Sequence, residues 1–513
     1  MPQMLRPPSV GPIVGHTTDT SVRLWIRAAD VSDLRTVGVA ALYEPGQPEP
    51  RVEYFRLHRE YDRTGTVDFD GLKPNTRYTA RLGSISVDSI DSELIVDDQE
   101  VFDRLPPKSV WKEDFRRMDP AEAEASFTTF PSPAESSFSF LMGSCRYPGV
   151  MGESKRSDEI FQAMYRHVEQ AHAADALPPR FVLMMGDQIY ADKFNKIPVG
   201  RADTWREFQE RYTTAFSTPY IRRLMRSLPT YMILDDHEIE DNWAQARLKD
   251  ALKRDLFHNA IRAYMSYQWV HGPRNFDKRI HYSFECAQAP FFVLDVRTQR
   301  IRNDDETLQG NHLLGYPAKA SAPGIKGQLD QFCDWLVEQQ KRRGNVPKFV
   351  VSPGVFAPND VGSSTDGGSS DSWPAFPETR RRVLRTIVDN NVQNVVFLSG
   401  DVHCSNLAEI SFEKRNGKAL PLKAFSIVSS AFYWPFPFAD GDPLGFVHDS
   451  KAEKDGFDID GAVTMHYRSY GFEQDDNYTQ VTYDAGRNSL VVQNYSRKGK
   501  ALNAPNELKL AKR

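Results

Sequence analysis

Six times along this chain an apolar, β-type run stops abruptly in polar residues suited to a metal ion or a phosphate. FSFLMGSCR ends at Cys145 and Arg146, FVLMMGDQIY at Asp187 and Tyr190, and YMILDDHE at Asp235, Asp236, His237 and Glu238. FFVLDVRTQR follows with Asp295 and Arg297, KFVVSPGVF with Ser352, and NVVFLSGDVHC with Asp401 and His403. Continuous Val/Ile/Leu/Phe runs are the mark of strands buried on both faces, and α/β sheets place ligand sites at the carboxyl ends of such strands. The pattern therefore predicts that residues distant in sequence converge on one sheet edge.

Composition narrows the classes. With 513 residues the chain has room for two to four domains, and 40% hydrophobic with 26% charged residues is ordinary for a globular protein. A net charge of −5 argues against a stable nucleic-acid complex, which needs a basic surface. It does not exclude an anionic substrate, because bound multivalent cations dominate a site's local field. No apolar stretch reaches the roughly 20 residues that span a bilayer. MPQMLRPPSVGPIVG lacks the layout of a leader, which predicts a cytoplasmic protein, or a secreted or periplasmic one if the chain is a processed form. Four cysteines are too few for a disulfide framework. Cys333 falls on the apolar stripe of a helix, whereas Cys145 ends a strand beside Gly143 and Ser144, where its sulfur could face a site.

Residues 1–130 read as an all-β unit. SVRLWIRA alternates Val22, Leu24 and Ile26 with polar neighbours, and VDFDGLKPNTRYTARL resembles the end of a fibronectin type III-like sandwich with Tyr78 in a tyrosine corner. PSPAESS (131–137) has the composition of a linker. From 138 to 513 strands alternate with helical segments, which predicts an α/β layered sandwich flanked by helices. Helical stripes occur after an N-cap at Ser157, over about 244–269, from Lys326 to Arg343 before Gly344, and over 377–390. AFSIVSS, NYTQVTYD and SLVVQNYS predict a second sheet. Residues 359–374 read as a Gly/Ser loop, and the aromatic 431–446 either lines a cleft or packs a long loop.

Each motif carries two readings. Asp187 after a strand bridges cations or makes a turn; Tyr190, three residues on, offers a phenolate for a hard trivalent ion or packs as a core ring. DDHEIEDNW gathers five acidic residues around His237, a pattern that makes sense beside a cation and otherwise forms an acidic turn. His237 is suited to protonating a leaving alkoxide, or to a hydrogen-bonding role among these carboxylates. In an extended SGDVH, Asp401 and His403 would face the same way. Arg297 and Arg300 suit phosphate oxygens, with an Asp295–Arg297 ion pair as the alternative.

Taken in order, GSC, GDQIY, DDHE, HNAIRAY, DVRTQR and SGDVH resemble the PhoD-like alkaline phosphatases within the calcineurin-like metallophosphoesterases. The resemblance covers nearly the whole chain and includes the N-terminal β-sandwich. It implies Fe3+ held by Cys145, Tyr190 and His403, with Asp187 bridging to Ca2+, and Asp236, Asp401 and Asn259 on the calcium side. KFVVSPGVF lacks the histidine that the wider superfamily places there, which favours a hard second cation. It further implies hydrolysis of small-molecule or lipid-headgroup phosphate esters by in-line attack of a metal-activated water, with His237 and Arg297 catalytic. A phosphodiesterase or phospholipase D-type activity on the same site is one alternative. A metal-loaded binding module without turnover is the other.

Overall fold

The computed structural model describes residues 4–29, 35–87, 97–132, 136–149, 154–174, 177–192, 200–274, 279–302, 308–317, 326–359, 372–436 and 443–512. Most of the Gly/Ser loop, the middle of the linker and residues 437–442 of the aromatic segment lie outside them.

Seven strands open the chain: β1 (Val10–Thr17), β2 (Ser21–Arg27), β3 (Arg35–Tyr43), β4 (Arg51–Arg56), β5 (Thr64–Asp70), β6 (Arg77–Val87) and β7 (Glu124–Thr128). They form two antiparallel sheets, β1-β2-β5 and β4-β3-β6-β7. Leu24, Ile26, Val67 and Phe69 from one sheet pack against Leu42, Tyr78, Leu82 and Phe127 from the other. Tyr78 accepts a 2.7 Å hydrogen bond from the Lys73 amide, the tyrosine-corner contact that its turn motif predicts. The alternation of β2, which reads as a half-buried strand, conceals a second contact. Its other face is buried too, because Trp25 donates from Nε1 to the Ser266 carbonyl and Arg23 from Nη1 to that of Gly272.

The remaining strands build two larger sheets. The strands β8 (Phe138–Gly143), β9 (Pro179–Met184) and β10 (Thr230–Met232) are parallel to one another. They are followed by β11 (Tyr282–Cys286), β12 (Ala289–Val293), β13 (Lys348–Val351), β14 (Val395–Ser399), β15 (Ser405–Lys414), β16 (Ala424–Val428), β17 (Phe457–Asp458), β18 (Val463–Glu473), β19 (Asn477–Asp484), β20 (Ser489–Ser496) and β21 (Asn506–Lys509). One sheet runs β10-β9-β8-β19-β20-β21 and the other β11-β12-β13-β14-β16-β15-β18-β17. The six apolar runs thus divide three and three between two sheets instead of sharing one edge. The late strands divide as well: AFSIV continues the second sheet beside β14, whereas NYTQVTYD and SLVVQNYS close the first beside β8. Their inner faces are the reason. Phe140 of β8 meets Phe291 of β12 and Phe349 of β13 edge to face at 5.6 and 5.5 Å, so each sheet buries its rings against the other.

Helices cover the outer faces, with two changes at their starts. The first begins at Ser154, so Ser157 lies within its first turn and donates to the Ser154 carbonyl instead of capping it. The stretch over 244–269 breaks into a short 3-10 turn, Gln245–Lys249, and a helix, Ala251–Tyr267, capped by the Asp250 carboxylate on the Leu252 amide. Gln328–Arg343 ends where Gly344 turns to φ +57°, and Pro377–Asp389 covers the same face of the second sheet.

Two histidines mark the junction between the sandwich and the rest of the chain. Burial, aided by Arg23, holds His16 down at about 4 and His271 at about 3, below the ordinary value of 6.5. Both are therefore neutral in the fold, while an unfolded chain takes up protons below about 6.5. The stability they contribute is complete above that pH and is lost as pH falls toward the folded values, by about 1.4 kcal/mol per pH unit for each ring. Melting temperatures measured from pH 7 to 4 should fall less steeply in His16→Gln than in the parent chain. An unchanged slope would contradict this placement of His16.

Candidate metal centre

The loops after β8, β9 and β14 leave their strands through left-handed residues. Cys145 (φ +56°), Asp187 (+56°), Asp401 (+71°) and His403 (+52°) all occupy a region that L-residues rarely adopt. Asp401 and His403 lie in a tight turn, with the Val402 amide bonded to the Gly400 carbonyl, and not in an extended strand. Two glycines permit the approach of the loops. A Cβ on Gly186 would stand 2.3 Å from that of Asp235, and one on Gly400 would stand 2.2 Å from Ser144 Oγ.

These turns bring four carboxylates together. Ligand atoms of Asp187, Asp235, Asp236 and Asp401 lie within 4.8 Å of one another, and those of Asp187, Asp236 and His237 form a second such group. Asp187, after β9, is fully enclosed. Its Oδ2 is 3.5 Å from Cys145 Sγ and accepts from the Tyr190 hydroxyl at 3.4 Å, while its buried Oδ1 has no hydrogen-bond partner. Cys145 is bounded by Ser144 Oγ at 3.2 Å and the Asp401 carbonyl at 3.6 Å. His403 packs its ring flat on Trp434, centroids 3.5 Å apart. The structure thus gathers Cys145, Asp187, Tyr190, Asp236 and Asp401, with His403 on the Asp401 loop.

Asn259 is placed elsewhere. It sits at the flank of the buried stripe Leu256, Ala260, Ala263 and Tyr264, and its Nδ2 donates to the Asp203 carbonyl at 3.0 Å. Arg297, fully buried, is ion-paired with Asp235 and lies 3.4 Å from Asp236 and 3.6 Å from Asp401. Its partner is thus not Asp295, whose Oδ1 accepts from the Arg297 backbone amide in a local turn. Arg146 is taken up by Asp158, Thr218 and the Ala215 carbonyl, and Ser352 accepts from Trp373 Nε1 while donating to the Gly354 carbonyl. Arg300 is buried with its guanidinium over the Phe376 ring.

The electrostatics fit a multivalent cation. Among the described residues the Arg297 guanidinium stands against three buried carboxylates and the half-buried Asp401, a strongly negative group in a low-dielectric site. Burial pushes the Asp187 carboxyl well up, and Asp235 and Asp236 add to that. Burial likewise raises the Cys145 thiol, with Asp187 and Asp401 adding to it. Such groups ionise together only beside positive charge, and thiolate, phenolate, imidazole and carboxylate form a donor set for such ions.

Two residues outside the expected ligand set hold this site. Asp192 Oδ1 lies 2.7 Å from His237 Nδ1 and fixes the ring, leaving Nε2 for chemistry. Burial alone would lower the His237 imidazole, but Asp187, Asp192 and Asp236 together hold it well above its usual value. Glu238, fully buried, ties the loops after β9 and β10 together. It accepts from the backbone amides of Asp187 (3.1 Å), Gln188 (2.7 Å) and Asp235 (2.9 Å), and from Gln268 Nε2 (3.1 Å). Glu240 turns outward to Arg201 and Arg247 at 2.9 and 2.6 Å. The acidic run thus splits into ligands, an anchor and an ion-pair hub. An acidic residue directly after a buried His was the available signal for Glu238; Asp192 had none.

A profile of the PhoD-like phosphatases matches residues 152–433, more than half of the chain. Alkaline phosphatase D of Bacillus subtilis (strain 168) is 23% identical over 339 residues, which cover 62% of this chain and 55% of that protein. The chain thus spans about half the length of this curated relative. A solved structure of PhoD superposes over 97% of this chain and 92% of its own, with a TM-score of 0.63 at 16% identity, and shares the fold. With the matched region carrying the clustered carboxylates of Asp187, Asp235, Asp236 and Asp401, the chain belongs to the PhoD-like phosphatase family.

Proposed function

We propose that this protein hydrolyses phosphate esters with cations held at the buried carboxylate cluster. The observation that carries this reading is the convergence of Asp187, Asp235, Asp236 and Asp401 from loops of two sheets onto one net-negative, enclosed point. The donor chemistry favours Fe3+ for Cys145, Tyr190 and His403, and Ca2+ for Asp236 and Asp401, with Asp187 shared. Cations bound there supply Lewis-acid screening of the phosphate oxygens and a lower pKa for water at the site.

The chain's own residues supply the rest. Asp192 orients His237 so that Nε2 delivers a proton to the departing alkoxide. Arg297 offsets part of the carboxylate charge and holds Asp235, a positioning role in place of direct phosphate contact. Glu238 fixes the spacing of the Asp187 and Asp235 loops. The Asp192–His237 pair favours turnover over a silent metal-binding module, which has no use for an oriented acid.

Leaving-group dependence tests the acid. His237→Gln should lower kcat for ethyl phosphate by about 10²- to 10⁴-fold, but far less for p-nitrophenyl phosphate, whose phenolate leaves without a proton. Equal losses on both esters would remove His237 from this role. In the parent enzyme, prolonged dialysis against a strong chelator should abolish turnover of both esters, and full activity after such treatment would contradict the proposal. Glu238→Gln should lower the melting temperature and the bound metal together, because its amide sets a donor against backbone N–H donors at a cost of about 1–3 kcal/mol. Retention of both would show that the anchor is dispensable.

A further inference from the structure

Away from the carboxylate cluster, the seam between the sandwich and the rest of the chain opens into a cavity of about 400 Å³. His16, Ser21, Arg23, Asp68, Asp70 and Arg274 are among the residues that line it. Its volume falls within the range of small-molecule sites, about 300–1,000 Å³.

Strand alternation puts these groups there. Val22, Leu24, Val67 and Phe69 turn into the sandwich core, so Ser21 and Arg23 of β2 share the outer face with Asp68 and Asp70 of β5. They pair across the strands, Ser21 with Asp70 and Arg23 with Asp68. On β1 the seam is closed at Gly15, where a Cβ would stand 2.1 Å from the His271 carbonyl oxygen. It opens at the next residue, His16.

The cavity carries charge of both signs. Asp68 is fully used, accepting from Nε and Nη2 of Arg23 at 2.7 and 3.1 Å and from Arg274. Two guanidinium groups thus share one carboxylate, and Arg274, with 65% of its side chain exposed, keeps donors to spare. Asp70 is the opposite case. Its backbone carbonyl accepts from Arg51 at 2.9 Å, while its carboxylate has no hydrogen bond or ion pair among the described residues. His16 adds an uncharged acceptor. Its Nδ1 lies 3.1 Å from the Tyr231 hydroxyl, whose own proton is directed at the Thr17 carbonyl, so the neutral ring keeps its lone pair on Nε2.

We propose that this cavity binds a small zwitterion of amino-acid to tripeptide size, its ammonium group on Asp70 and His16 and its carboxylate on Arg274. An anion alone would face Asp68 and Asp70, and a cation alone would face Arg23 and Arg274. A ligand with both charges answers each wall. No residue of the cavity belongs to the carboxylate cluster, so the site stands independently of the hydrolase reading.

Calorimetric titration of the intact protein with glycine, diglycine and triglycine tests the assignment, since each added residue separates the two charges by up to about 3.5 Å. The best-fitting of these should bind about three- to tenfold more tightly than its N-acetyl and C-terminal amide forms, each of which lacks one charge. Asp70→Asn should remove the advantage over the N-acetyl form, and Asp70→Glu should restore part of it. Arg274→Gln should remove the advantage over the amide, and Arg274→Lys should restore part of it. Both residues are exposed, so neither exchange threatens the fold. No binding of any of the peptides, equal binding of the blocked forms, or a preference undiminished in either variant would overturn the proposal.

Discussion

Three buried carboxylates and a half-buried fourth, gathered around the Arg297 guanidinium, are the constraint around which this molecule is arranged. Such a group is unfavourable unless positive charge enters it, and each element nearby serves to keep the carboxylates close regardless. Glu238 ties two of the loops by their backbone amides, and Arg297 draws Asp235, Asp236 and Asp401 toward one point. The left-handed residues Cys145, Asp187, Asp401 and His403 represent backbone strain accepted at the same place. Strain and crowded carboxylates at one site, in a fold otherwise built on closely packed phenylalanines, are the distribution expected where stability has been traded for chemistry.

The two-sheet core explains why the site forms where it does. Phe140, Phe291 and Phe349 lock the inner faces of the sheets, and the carboxyl ends of β8, β9 and β10 then meet those of β12 and β14. The N-terminal sandwich is joined to this core by Trp25, Arg23, the half-buried His16 and the buried His271. None of those four groups touches the carboxylates through any contact described above, so the sandwich bears on the site through the fold. Among the described residues no helix is long and apolar enough to cross a membrane.

Much of this was legible in the sequence because buried strands and their terminal ligands leave a local signature. The apolar runs before Cys145, Asp187, Asp236 and Asp401 gave both the strands and four members of the cluster. The assignment of those strands to one sheet or two was not legible, since a continuous apolar run says that a strand is covered but not by what. The extended conformation expected for Asp401 and His403 is replaced by left-handed backbone, so strand alternation does not set where their side chains go. The helical motif around Asn259 gave no view of its amide's partner, the Asp203 carbonyl, 56 residues earlier in the chain. Asp192 and the charge-balancing position of Arg297 depend on contacts between residues far apart, which no window of sequence contains.

The most direct measurement is elemental analysis of the protein purified without chelator, compared with Asp187→Asn prepared in parallel. The account predicts iron and a second multivalent cation in near-stoichiometric amounts in the parent chain, and a substantial loss of both in the variant. A parent protein that hydrolyses phosphate esters at full rate while carrying no multivalent metal would contradict it.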